Sequence, residues 1–178
     1  MKQFPIVKVP PHYISTKVLE RQEGKTMAVV GAHHTSYTVS DLSRTLPFYR
    51  DLLGFEVVHE RAEIVQSYWR AVVGFPDAVA RDAFLRIPGS DHFLELIEYK
   101  NPRGLKQNVT PNNPGSSHVC YLVDDLEAMY TRLKDAGVQF ISEGPVYLDQ
   151  GPNKGGAALY MKDPDGIVIE LFQKASGK

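Results

Sequence analysis

Two histidines and two glutamates stand at matching places in this chain, and their side chains make a donor set for a divalent metal ion. His34 opens HTSYTVSD and His118 opens HVCYLVDD. In both runs a tyrosine follows at offset three (Tyr37, Tyr121), a valine at offset five (Val39, Val123) and an aspartate at offset seven (Asp41, Asp125). Each run leads through a helix-like segment to an apolar strand with a carboxylate at its centre: FLELIEY around Glu95, IVIELFQ around Glu170. A charge among such neighbours costs several kcal/mol unless it is paired, protonated or bound to a cation. Neither run contains a Lys or Arg. Two imidazoles and two carboxylates suit Zn, Ni, Co, Mn or Fe(II), and their double negative charge offsets a dication. Open positions on such an ion permit chemistry on a bound substrate. The competing reading is two core histidines and two internally paired acids.

These four groups need two similar frames to hold them. In the first run His34, Ser36 and Thr38 share one strand face and Tyr37 and Val39 the other, which predicts a polar cleft on one side and a helix-covered core on the other. The strand is expected from Met27 onward. Asp41 caps a turn at 41 to 45, and a helix is expected at 46 to 53, with Pro47 early in it, Leu46, Tyr49 and Leu53 facing the core, and Gly54 as its stop. FEVVHE and EIVQSYWRAVV both read as strands, GFPDAVARDA interrupts them, and AFLRI and HFLELIEYK complete the half. In the second half Asp125 caps LEAMYTRLKDA, Gly137 ends it, VQFIS is a strand, and GPNKGG is a hairpin connection lacking the setting of a phosphate loop. The expected organisation is an extension over residues 1 to 26, a first module over 27 to 100, a linker over 101 to 116 and a second module over 117 to 178. The first half is nine residues longer between its histidine and glutamate. That excess is placed at residues 75 to 84, beside the cleft, where it can select substrate or be plain surface loop.

Composition narrows the function classes. The chain has 178 residues, 43% hydrophobic and 23% charged, enough for one buried core or two small modules sharing one. A net charge of −1 with scattered Lys and Arg argues against nucleic acid and anionic membrane surfaces. The lone Cys120 excludes an internal disulfide framework, and no apolar run approaches the ~20 residues that span a bilayer. A cytoplasmic protein with a small-molecule substrate is expected.

The paired halves, with HTSYTVSDLSRTLPFYRDLLGF and HVCYLVDDLEAMYTRLKDAGV opening them and LELIEY and PDGIVIEL closing them, resemble the vicinal oxygen chelate superfamily over residues 28 to 174. That group includes glyoxalase I, methylmalonyl-CoA epimerase, extradiol dioxygenases and fosfomycin and bleomycin resistance proteins. The resemblance implies an α+β fold of two tandem βαβββ modules forming a curved mixed sheet around a metal-binding cleft. It implies His34, Glu95, His118 and Glu170 as ligands, a pattern matching glyoxalase I. Glu95 argues against the epimerases, which carry Gln there, and against the dioxygenase and fosfomycin groups, where a fourth carboxylate is not expected. The modules can pair within one chain or between two; a homodimer is expected.

The implied activity is that of a metal-dependent lyase or isomerase removing a proton next to a metal-bound carbonyl, with Glu170 as base and Glu95 as the alternative. The runner-up is an Fe(II) extradiol-type dioxygenase on His34, His118 and Glu170. A second alternative is a non-catalytic ligand-binding resistance protein. His33 is expected to point away from His34. His12, His59 and His92 are read as surface or core-edge, Cys120 as a small cleft-lining residue without a base to activate it, and Tyr68, Trp69, Tyr99 and Phe172 as pocket or core.

Overall fold

The computed structural model describes residues 28–175. The expected N-terminal extension and His12 lie outside them. Residues 28–33 carry no regular element, so the first strand begins at His34 rather than Met27.

The first sheet has the order β1-β4-β3-β2, from β1 (His34–Thr38), β2 (Glu56–Ile64), β3 (Val79–Arg86) and β4 (Phe93–Asn101). The second is built from β5 (His118–Leu122), β6 (Gln139–Phe140), β7 (Val146–Tyr147), β8 (Ala157–Lys162) and β9 (Val168–Gln173), in the order β5-β9-β8-β6 with β7 also on β8. Opening and closing strands pair in parallel in both sheets; the other ladders are antiparallel. The first-half pattern is thus repeated, except that the strand corresponding to β2 is broken into β6 and β7. This is the α+β architecture expected, with mixed sheets of four and five strands.

Alternation sorts the faces. Tyr37, Val39, Leu94 and Leu96 of the first sheet and Leu159, Met161, Ile169 and Leu171 of the second join one hydrophobic core with Tyr49, Leu126 and Leu133 from the helical segments. His34, Ser36, Glu95, His118, Cys120 and Glu170 occupy the opposite faces, where none is fully buried. Among the described residues no helix is long and apolar enough to cross a membrane.

Four local expectations are corrected. Helix α1 (Leu42–Pro47) starts at once after Asp41, whose side chain accepts from the Ser43 N–H, so the predicted turn at 41 to 45 is helical. Pro47 ends α1 instead of opening a helix: it has no N–H for the next i to i−4 bond, and the chain passes into a π-helical turn, Phe48–Leu52. EIVQSYWRAVV is no strand of its own: β2 runs on to Ile64, and Ser67–Val73 form helix α2, closed by Gly74 at φ 75° with its N–H on the Arg70 carbonyl. Trp69 holds α2 down on Ile64, Ala80 and Ile97, against Tyr99 at 5.7 Å between ring centroids. Among the described residues the second half has no counterpart of α2, so the extra length sits in this helix rather than in a loop at 75 to 84.

Each first helical segment is tied to its closing strand by one side chain. Glu98 of β4 accepts from the Leu42 N–H at 2.9 Å, and Gln173 of β9 accepts from the Leu126 N–H at 2.7 Å at the start of α3 (Leu126–Asp135). Burial alone would raise the Glu98 pKa, but bonds from Lys100, Leu42 N–H and Arg81 outweigh it and hold the carboxyl at about 2. A depressed carboxylate pKa stabilises above the unfolded value and loses that contribution as the pH falls through the folded one. Glu98→Gln is therefore expected to cost about 2–3 kcal/mol at pH 7. Urea unfolding should show the gap to wild type closing between pH 4.5 and about 2; a gap that is constant over this range contradicts the assignment.

Candidate metal centre

Strand register places the two glutamates in equivalent rows. Glu95 lies between Ser36 on β1 and Phe84 on β3, and Phe84 faces His59 on β2. Glu170 lies between Cys120 on β5 and Tyr160 on β8. Each histidine is two residues before the partner of its glutamate on the same strand face, which brings the side chains together. His34 Nε2 stands 3.7 Å from Glu95 Oε2, and His118 Nε2 stands 3.2 Å from Glu170 Oε2. The imidazoles are more open than the acids: 37% and 38% exposed against 13% and 21%.

The donor set can be tested against a metal. Two atoms bound at ~2.1 Å to one ion and at right angles to each other lie ~3 Å apart. Both pairs meet or approach that spacing, so each fits as half of a site. The four do not gather within one chain: among the described residues no group of three or more His, Cys, Asp and Glu side chains is assembled for a metal. The structure brings His34 to Glu95 and His118 to Glu170, as two separate pairs.

The surroundings of the two pairs differ. Beside the first is a hollow of about 360 Å³ lined by His33, Val58, His59, Arg61, Phe84 and Phe93. Val58 reaches it because the β2 register slips between Val57 and His59, and a bulge turns a side chain that alternation would put on the other face. His33 does not point away as expected. It precedes the strand and escapes its alternation; its Nδ1 is 2.7 Å from His34 Nδ1 and its ring lies 5.7 Å from that of Phe93. His59 packs edge-on to Phe84 in the same hollow, and His92 is bonded to Thr35 at 2.9 Å. Glu95 also has a cation that its own strand could not reveal: Arg61 Nη2, from two strands away, is 3.8 Å from Oε1. Arg61 is gripped by Asp82, which is fully buried, through Nε to Oδ1 at 2.9 Å and a second bond from Nη2.

Around the second pair the neighbours are neutral. Tyr160 Oη lies 3.2 Å from His118 Nε2. The Cys120 thiol is raised to about 11 by burial first, then by the charge of Glu170. It faces Glu170 across the β5–β9 ladder, in keeping with a cleft-lining role. Of the aromatic residues set aside as pocket or core, Trp69 and Tyr99 pack under α2, Phe172 is half-buried and Tyr68 is exposed. A cavity of about 760 Å³ lies among Arg44, Phe48, residues 106–110 and the Asp163–Gly166 turn, and none of the four predicted ligands lines it.

Comparison with known proteins agrees with this arrangement of sheets. The family model described as the glyoxalase/bleomycin resistance protein/dioxygenase superfamily matches residues 31–171. A 2-epi-5-epi-valiolone epimerase from Actinomyces is 30% identical over 151 residues, covering 83% of this chain and 81% of the relative. A protein named "probable lactoylglutathione lyase" from Synechocystis is 28% identical over 147 residues, covering 82% and 96%. A crystal structure of a glyoxalase family protein from Bacillus cereus superposes with a TM-score of 0.72 at 21% identity, over 88% of this chain and 99% of the other, a likeness of fold.

Proposed function

The chain belongs to the glyoxalase/bleomycin resistance protein/dioxygenase superfamily, and within it we propose that it is a metal-dependent lyase or isomerase acting on a small oxygenated carbon compound. His34, Glu95, His118 and Glu170 are the ligands of one divalent ion, Zn, Ni, Co, Mn or Fe(II). The observation that carries this reading is the pair of His–Glu contacts at 3.7 and 3.2 Å, on matching faces of two repeated sheets. Because the pairs stand as half-sites, the complete set is formed when the first pair of one copy meets the second pair of another in a homodimer.

Such an ion, when bound, withdraws electron density from a substrate carbonyl and so acidifies the neighbouring C–H. The chain supplies the rest. Glu170 takes the proton, since it stands beside an imidazole and, among the described residues, has no Lys or Arg within 4.0 Å. Glu95, facing Arg61, is the weaker base. Phe84, Phe93 and Val58 form an apolar wall that keeps water from the deprotonated carbon. A positioned base contributes ~10²–10⁴-fold to the rate. Removing a proton and returning it on the opposite face is an epimerisation, and returning it to a neighbouring carbon is an isomerisation. The epimerase and lyase names of two relatives support this class of chemistry.

Incubation in heavy water tests the reading. Metal-loaded protein should exchange deuterium into the carbon next to the carbonyl of hydroxyketone substrates, and chelator-stripped protein should not. Ring opening that consumes O₂ and depends on ferrous ion would replace this reading with the dioxygenase one.

A further inference from the structure

On the basis of this metal reading, we propose that the two half-sites divide the work: His33 and Arg61 are positioning residues that fix His34 and Glu95 as the stationary pair, leaving His118 and Glu170 as the adjustable one. Each ligand of the first pair is held from behind. His34 turns Nε2 toward Glu95, and its other nitrogen, Nδ1, meets His33 Nδ1 at 2.7 Å. One of those two nitrogens must carry the hydrogen. With the proton on His34 Nδ1 the lone pair of His33 accepts it, and the lone pair of His34 Nε2 is left aimed at the space beside Glu95, where a ligand imidazole needs it. The His33 ring is itself lodged against Phe84 and Phe93.

Glu95 is fixed through its second oxygen. Oε2 faces His34 while Oε1 faces Arg61 Nη2 at 3.8 Å, so the carboxylate has one orientation that serves both. Arg61 cannot swing away cheaply, because two of its nitrogens bind Asp82, which has no exposed surface and would be left as an unpaired buried charge. The second pair lacks both braces. The residue before His118 is Ser117, where His33 stands in the first half. The strand matching β2, which carries Arg61, is interrupted between β6 and β7. Among the described residues no Lys or Arg lies within 4.0 Å of Glu170. A carboxylate that must loosen to accept a proton is better placed where no guanidinium holds it.

Cobalt(II) affinity of the full-length protein, measured by competition with a chelating dye, tests this. His33→Ala, and the paired change Arg61→Gln with Asp82→Asn, should each weaken cobalt binding ~10–100-fold, the usual effect of losing an orienting neighbour. The paired amides avoid stranding the buried Asp82 charge, and Arg61→Lys should recover part of the loss. In a Glu95→Gln background the paired change should add less than about twofold, because the group it orients has gone. A full, additive loss in that background would show that Arg61 acts through the fold and would overturn its positioning role. Cobalt uptake indifferent to His33 and Arg61 would overturn the division of labour while leaving the metal site standing. Wild-type protein that takes up no cobalt would overturn both.

Discussion

Glu170→Gln is expected to lower turnover ~10²–10⁴-fold, the usual worth of a general base. Its melting temperature should stay within about 2 °C of wild type, as befits a partly exposed isosteric change. The amide keeps the shape of the carboxylate, but it cannot take a proton. Glu170 is 21% exposed on the cleft face of β9 and contributes nothing to the shared core, so little but chemistry depends on its charge. Glu95→Gln should behave differently, losing more in metal affinity than in turnover at saturating metal. Steady-state rates with metal titrated to saturation separate the two. Full activity in Glu170→Gln would remove it as the base and pass the role to Glu95.

The second large effect is recovery rather than loss. His34→Ala and Glu170→Gln should each be nearly inactive alone, yet a mixture allowed to exchange subunits should regain about a quarter of the wild-type activity. In a mixed dimer whose sites are shared between copies, one site collects both defects and the other collects neither. Half of the dimers are mixed, and half of their sites are intact. If each site lay within one chain, every site would carry one defect and mixing would restore nothing. The two separated His–Glu pairs are the reason to expect recovery.

Which strand face each candidate site residue occupies was legible because strand alternation is a strict, local rule. HTSYTVSD and HVCYLVDD put histidine and tyrosine on opposite faces, and in the structure Tyr37 and Tyr121 are buried while His34 and His118 are open. Where the rule's premise failed, so did the expectation: His33 lies before the first strand residue, and its ring turned to the cleft. Burial was a poorer guide than parity. Glu98 is more buried than Glu95, 3% against 13% exposed, but three residues along the strand it faces the helices and caps α1 instead of the cleft.

What could not be read came from non-local partners. Arg61 and Asp82 meet across β2 and β3 over a separation of 21 residues, and neither sits in a motif, so the cation facing Glu95 left no mark in FLELIEY. Likewise SYWRAVV has the aromatic and β-branched content of a strand. It is helical because Gly74 supplies the left-handed stop and Trp69 finds Ile64, Ala80 and Ile97 to cover. Tertiary contact outweighs so short a segment's propensity.

Metal content per chain tests the central claim most directly. After stripping and reloading with a divalent ion, elemental analysis of the wild-type protein should find one equivalent per chain, and the His34→Ala/His118→Ala variant, still folded, should retain almost none. An ion held undiminished without both imidazoles, or substrate turnover by protein free of metal, would contradict it.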